Sequence, residues 1–91
     1  MNGKQQIIKS LVQVGILKTS NPSTRDLANI IMRMYKNAVN ELSRSGLHPN
    51  VIFDTARGQI EGGLGVNWDV DIAPILKVIG YSDQDLLELI P

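Results

Sequence analysis

The chain has 91 residues, 43% apolar and 20% charged, with nine Lys+Arg against nine Asp+Glu and no cysteine. That length fits one domain spanning residues 1–91, and area scaling gives roughly 5,000 Å² folded against about 14,500 Å² unfolded, enough for a thin core. The composition excludes a disordered chain. The missing cysteine excludes a disulfide framework, a thiol nucleophile and a cysteine-ligated zinc.

The N-terminal apolar run is broken by Lys9, Ser10 and Gln13, so it reads as neither a signal peptide nor a membrane span, which needs about 18 uninterrupted apolar residues. These features predict a soluble cytoplasmic protein with no membrane partner.

Helical spacing dominates. Ile7, Ile8, Leu11, Val12 and Val14 share one broad arc, predicting a helix over about 4–17 that ends near Gly15 and Lys18. Ser23 with Asp26 forms a capping pair for a long helix over about 24–45. Leu27, Ile31, Met34, Tyr35, Ala38, Val39 and Leu42 make its apolar stripe, and Gly46 is its stop. Pro49 suits the first turn of a third helix over about 50–61, on which Ile52, Phe53, Ala56 and Ile60 share a face. Gly62-Gly63-Leu64-Gly65 reads as a flexible connector.

Asp69 or Asp71 is the expected cap of a fourth helix over about 71–79, with Pro74 in its first turn. Ser82 with Asp85 repeats the capping pair for a last helix over about 83–90. A strand at Leu64–Val70 would have no partner. The predicted fold is all-α, a compact non-parallel bundle of four to five helices.

No residue set specifies a reaction. His48, the single histidine, sits beside Pro49 at a helix entry and reads as a capping or surface residue. The glycine run 58–65 lacks the Lys-Ser or Lys-Thr of a phosphate loop, and the acids after it, Asp69 and Asp71, would repel phosphate. Those two aspartates are too few for calcium. Trp68 reads as core rather than as a partner-facing anchor. Neither cofactor nor metal is expected.

The charge is polarised along the chain. Residues 1–58 hold eight cations against three carboxylates, and residues 59–91 hold one cation against six, an asymmetry that points to charged partners. On a helical wheel with Arg25 at zero, Lys36 falls at about 20°, Arg33 at about 80° and Arg44 at about 100°. Asn29, Asn40 and Ser43 lie in or beside that arc. The face is either a solvated surface, neutralised by the acidic half within the fold, or a contact surface for phosphate and base edges.

The last two helices have the apolar spacing of a helix-turn-helix, with Ile75, Ile79, Leu86 and Leu89 around Gly80. A recognition helix carrying Asp83, Asp85 and Glu88 would be repelled by DNA. The expected function is that of a small non-catalytic protein-interaction or regulatory module, open to self-association. Arg25, Arg33, Lys36 and Arg44 are its partner-facing residues on one side, and Asp83, Asp85 and Glu88 on the other. The alternative is a nucleic-acid-binding regulator using the basic face of the second helix.

Overall fold

Apolar stripes at helical spacing leave short helices one way to bury them, against each other. The computed structural model describes residues 2–91, and among these residues it is all-α, with no strand. In chain order the elements are α1 (Gly3–Gln13), α2 (Thr24–Ser43) and α3 (Pro49–Leu64), then a π-helical turn (Trp68–Ile72) running directly into α4 (Ala73–Lys77), and finally α5 (Asp83–Glu88).

Each long helix starts where a side chain satisfies a free backbone N–H. Asn2 Oδ1 accepts from Gln5 N at 2.8 Å, and Gln5 Oε1 accepts from Asn2 N at 3.4 Å. Ser23 Oγ accepts from Asp26 N at 3.0 Å, as the spacing predicted. His48 Nδ1 accepts from Asn50 N at 3.1 Å, so the single histidine is the N-cap of α3 with Pro49 in its first turn. Ser82 and Asp85 form the expected reciprocal pair at α5, with Asp85 N donating to Ser82 Oγ at 3.2 Å and Ser82 N donating to Asp85 Oδ2 at 2.8 Å.

Three boundaries differ from the sequence reading. α1 ends at Gln13 rather than near residue 17, because Gly15 takes a left-handed φ of 80°. The chain then folds back, with Ile16 N and Leu17 N both donating to Leu11 O at 2.9 and 3.1 Å. Leu17 is thereby buried, while Val14, placed in the core arc by periodicity, is 67% exposed.

α3 runs through Gly62 and Gly63 to Leu64, so the expected flexible connector is helix. Its end is anchored from both sides: Ile60 and Leu64 are buried, and Leu64 O accepts from Ser10 Oγ at 2.8 Å and Gln6 Nε2 at 3.3 Å. Tertiary packing overrides the low helix propensity of glycine here.

The fourth helical segment begins at Trp68 and not at 71. Its cap is Asn67, whose Oδ1 accepts from Val70 N at 3.0 Å. Asp71 Oδ2 answers by accepting from Asn67 N at 2.9 Å. Pro74 is the second residue of α4, in its first turn as expected, and the π-helical turn runs directly into it. It brings no N–H to the ladder, and the widened π geometry, with Ala73 N donating back to Trp68 O, immediately precedes it.

One cluster of buried residues draws on every helix. α2 is its spine, packed on α3 and α4, while α1 lies on α3 and the π-helical turn. The accessible surface is 5385 Å², close to the area expected for this mass. α4 and α5 meet at Gly80 (φ 85°), with Leu86 fully buried and Leu89 43% exposed.

The glycines of α3 give a contrast to measure. A Cβ at Gly62 would meet nothing within 4 Å, whereas Gly65 has a left-handed φ of 71° and a Cβ there would stand 3.1 Å from Gln6 Nε2. Gly62→Ala is expected to stabilise the fold by about 0.5–1 kcal/mol, and Gly65→Ala to destabilise it by about 1 kcal/mol or more. Thermal melts followed by circular dichroism check both, at roughly 4–8 °C in Tm per kcal/mol for a domain this size.

Candidate partner-binding surface

α2 sets the surface because its buried and exposed arcs are sharply divided. Leu27, Ala28, Ile31, Tyr35 and Val39 face the core. Arg25, Asn29, Arg33, Lys36, Asn37, Asn40 and Arg44 are all exposed. The four predicted cations therefore share one solvent-facing arc, with Asp26 and Glu41 exposed at its margin. Arg25, Asn29, Arg33, Lys36, Asn40 and Arg44 follow each other at steps of three or four residues, a stripe about 28 Å long at 1.5 Å per residue.

The acidic half does not neutralise this stripe by direct pairing. Among the described residues the ion pairs belong to Arg57 alone, one to Asp54 and one to Asp83 at 3.7 Å. None of the four cations, Arg25, Arg33 and Lys36 on α2 and Arg44 at its C-cap, takes part.

The predicted acids have other partners. Asp83 Oδ1 accepts from Trp68 Nε1 at 3.0 Å, and its second oxygen faces Arg57. Asp85 is held by Ser82, whose backbone N–H and hydroxyl both donate to it and keep its carboxyl below the usual carboxylate range. Glu88 is exposed and accepts from Gln84 Nε2 at 3.3 Å. Of the acidic trio, only Glu88 is left on the surface without a structural task.

Arg57 is a residue that sequence reasoning missed. Its guanidinium lies 4.2 Å from the centroid of the Phe53 ring one turn earlier. It also bridges Asp54 on its own helix and Asp83 on α5. The Phe53-to-Arg57 and Asp54-to-Arg57 spacings were visible in the sequence as same-face neighbours. The link to Asp83 was not.

Beside this bridge, Tyr35 is fully buried and donates its hydroxyl to Leu86 O at 2.6 Å. Its ring stands 6.5 Å from those of Phe53 and Trp68. Burial pushes the Tyr35 hydroxyl up to about 12, against the lowering effect of Arg57 and with a further push from Asp83.

Other sequence candidates resolve simply. Trp68 is core, 2% exposed, and its backbone N donates to Glu61 Oε2 at 2.7 Å. The glycine run after residue 58 lies within α3 up to Leu64, so it has no loop in which to cradle an anion. Among the described residues no group of three or more His, Cys, Asp or Glu could hold a metal ion. No described helix is long and apolar enough to cross a membrane. No family model, no curated protein and no solved structure matches the chain.

Two measurements follow from the Asp83–Tyr35 region. Asp83→Ala leaves Trp68 Nε1 and Arg57 without their shared carboxylate and should cost about 1–2 kcal/mol, read as a lower denaturant midpoint. Glu88→Ala should stay within about 0.5 kcal/mol.

The Tyr35 hydroxyl ionises more readily in the unfolded chain, at about 10, than in the folded one. Its contribution is therefore complete below about pH 10 and is lost as pH rises towards about 12. Denaturation followed from about pH 9 to about pH 12 should show that loss, and Tyr35→Phe should flatten it.

Proposed function

We propose that the chain is a small, non-catalytic interaction module of the regulatory kind, which engages an acidic partner protein through the cationic face of α2. The observation that carries this reading is the unequal use of charge. Arg25, Arg33, Lys36 and Arg44 are exposed with no ion pair among the described residues, while Asp83 and Asp85, at the surface, already accept hydrogen bonds from Trp68 and Ser82. Exposed cations on a rigid helix offer a partner electrostatic steering and register without any cost of ordering a loop. A cytosolic setting belongs to the proposal and draws on the absence of cysteine, which suits a reducing compartment.

Self-association through opposite charges is the weaker form of this reading, because two of the three acids on α5 already have internal partners. A nucleic-acid reading is favoured by the stripe itself. Its interleaved asparagines and arginines are residue types that contact phosphates and base edges. The formal net charge of zero removes the long-range attraction usual in nucleic-acid binders. The aromatics offer little stacking platform for a single strand, since Tyr35 and Trp68 are buried and Phe53 and Tyr81 are half-buried.

The Arg33→Glu/Lys36→Glu double variant discriminates the two readings. Both side chains are exposed, so its circular dichroism should match the parent. Tagged chain expressed in its source cell is expected to recover a stoichiometric protein partner that the double variant loses. A complex kept intact by the double variant would overturn the assignment to α2. Duplex DNA or RNA binding by anisotropy, falling by orders of magnitude between about 50 and 200 mM salt and absent in the double variant, would transfer the stripe to nucleic acid.

A further inference from the structure

The solvent arc of α2 carries an order that its charge count does not show. Arg25, Asn29 and Arg33 set out a cation, an amide and a cation at steps of four residues, and Lys36, Asn40 and Arg44 repeat that pattern eleven residues on. All six residues are exposed. Eleven residues make about three turns, so the second triad lies about 16.5 Å along the axis and only about 20° round it. Arg44, at the C-cap, keeps right-handed helical backbone and continues the register. Asn29 and Asn40 run along the middle of the arc, at about 40° and 60°. Arg25 and Lys36 form one edge, at about 0° and 20°, and Arg33 and Arg44 the other, at about 80° and 100°. The α2 carboxylates Asp26 and Glu41 fall at about 100° and 160°, beside the second edge only.

This face has no apolar anchor. Of the eight large hydrophobics that stand well exposed among the described residues, none lies between Thr24 and Arg44. A partner must therefore gain its hold from charge-assisted hydrogen bonds, and single exposed ion pairs contribute little each. Several carboxylates have to engage at once, from an element rigid enough to present them together. A helix laid alongside α2 does this, because acids eleven residues apart return to nearly the same side about 16.5 Å further on. An extended strand advances about 3.3 Å per residue, so the same span is about five residues and turns the second acid to the opposite face.

We infer that the α2 face takes an acidic, largely polar helix of the partner protein, with carboxylates repeating every eleven residues to meet both triads. The inference rests on the reading of the chain as a module for an acidic partner, and specifies the form of that partner. A second copy of the chain does not supply such a helix: among the described residues no helix carries two carboxylates eleven residues apart. Contact made by charge alone is steered in solution and weakens as salt screens it.

The test uses two stapled alanine-rich helices of equal length, composition and net charge, titrated against the full chain by fluorescence anisotropy. The matched helix places glutamates at the 8, 3, 8 spacing of Arg25, Arg33, Lys36 and Arg44, and the control spreads the same glutamates evenly round its circumference. At about 50 mM salt the matched helix should bind about tenfold tighter or more, since it alone engages both triads simultaneously. Its affinity should fall several-fold by about 200 mM salt. Binding should be lost in Arg33→Glu/Lys36→Glu and unchanged in Glu88→Ala.

Equal binding of the two helices, no binding of either, or matched-helix binding that survives the double variant would each overturn the inference. So would mixed-sequence duplex DNA that binds more tightly than the matched helix and is lost in the same variant. Should the double variant lose its helical signal, Arg33→Gln/Lys36→Gln carries that arm. The reading of the chain as a module fails separately. A protein partner captured from the source cell and lost in the double variant keeps that reading, even where the two peptides bind alike.

Discussion

Tyr35 is the side chain on which the arrangement of helices depends. It projects from the middle of α2, is fully buried, and touches three other elements: Phe53 of α3, Trp68 of the π-helical turn, and the Leu86 carbonyl of α5. A buried phenol must find an acceptor, and the one it finds is a carbonyl of α5, the short last helix. α5 has only six residues and would be marginal alone. Its own capping box, the burial of Leu86 and the bond from Tyr35 together hold it in place.

The same region explains why the acidic half of the chain is less available than its composition implies. Trp68 brings an indole N–H into the core, and Asp83 supplies its acceptor. Arg57 then lies against Asp83 and over Phe53. Asp85 and Asp71 close capping arrangements, and Glu61 receives the Trp68 backbone N–H. Four carboxylates of the acidic half thus have structural duties, while the cations along α2 form no ion pair among the described residues. A chain of zero formal charge presents an uneven surface because folding uses its charges selectively, and the electrostatic part of recognition follows from that imbalance.

The glycines of α3 show where local signals mislead. Gly62 and Gly63 would end an isolated helix, yet α3 continues because Ile60 and Leu64 are buried on either side of them and Leu64 O is bonded from α1. Pro74 does lie in the first turn of α4, but a π-helical turn capped by Asn67, which the sequence did not signal, precedes it. Residues 7–14 held a broad apolar arc that periodicity assigned to one core face. In the structure Ile7 and Leu11 fill the core, Ile8 and Val12 line an outer groove, and Val14 lies beyond the helix end.

What the amino-acid sequence determined by itself is local. The all-α class, the Ser23 and Ser82 caps, the turns at Gly46 and Gly80, and the cationic arc of α2 all depend on residues within a turn or two of each other, where spacing and side-chain chemistry suffice. The tertiary structure alone decided which charges remain free and which apolar residues remain outside. Those outcomes rest on contacts such as Arg57 with Asp83, Trp68 with Asp83 and Ser10 with Leu64, whose partners lie 26, 15 and 54 residues apart. No periodicity encodes a contact of that kind, because it exists only once the helices have packed.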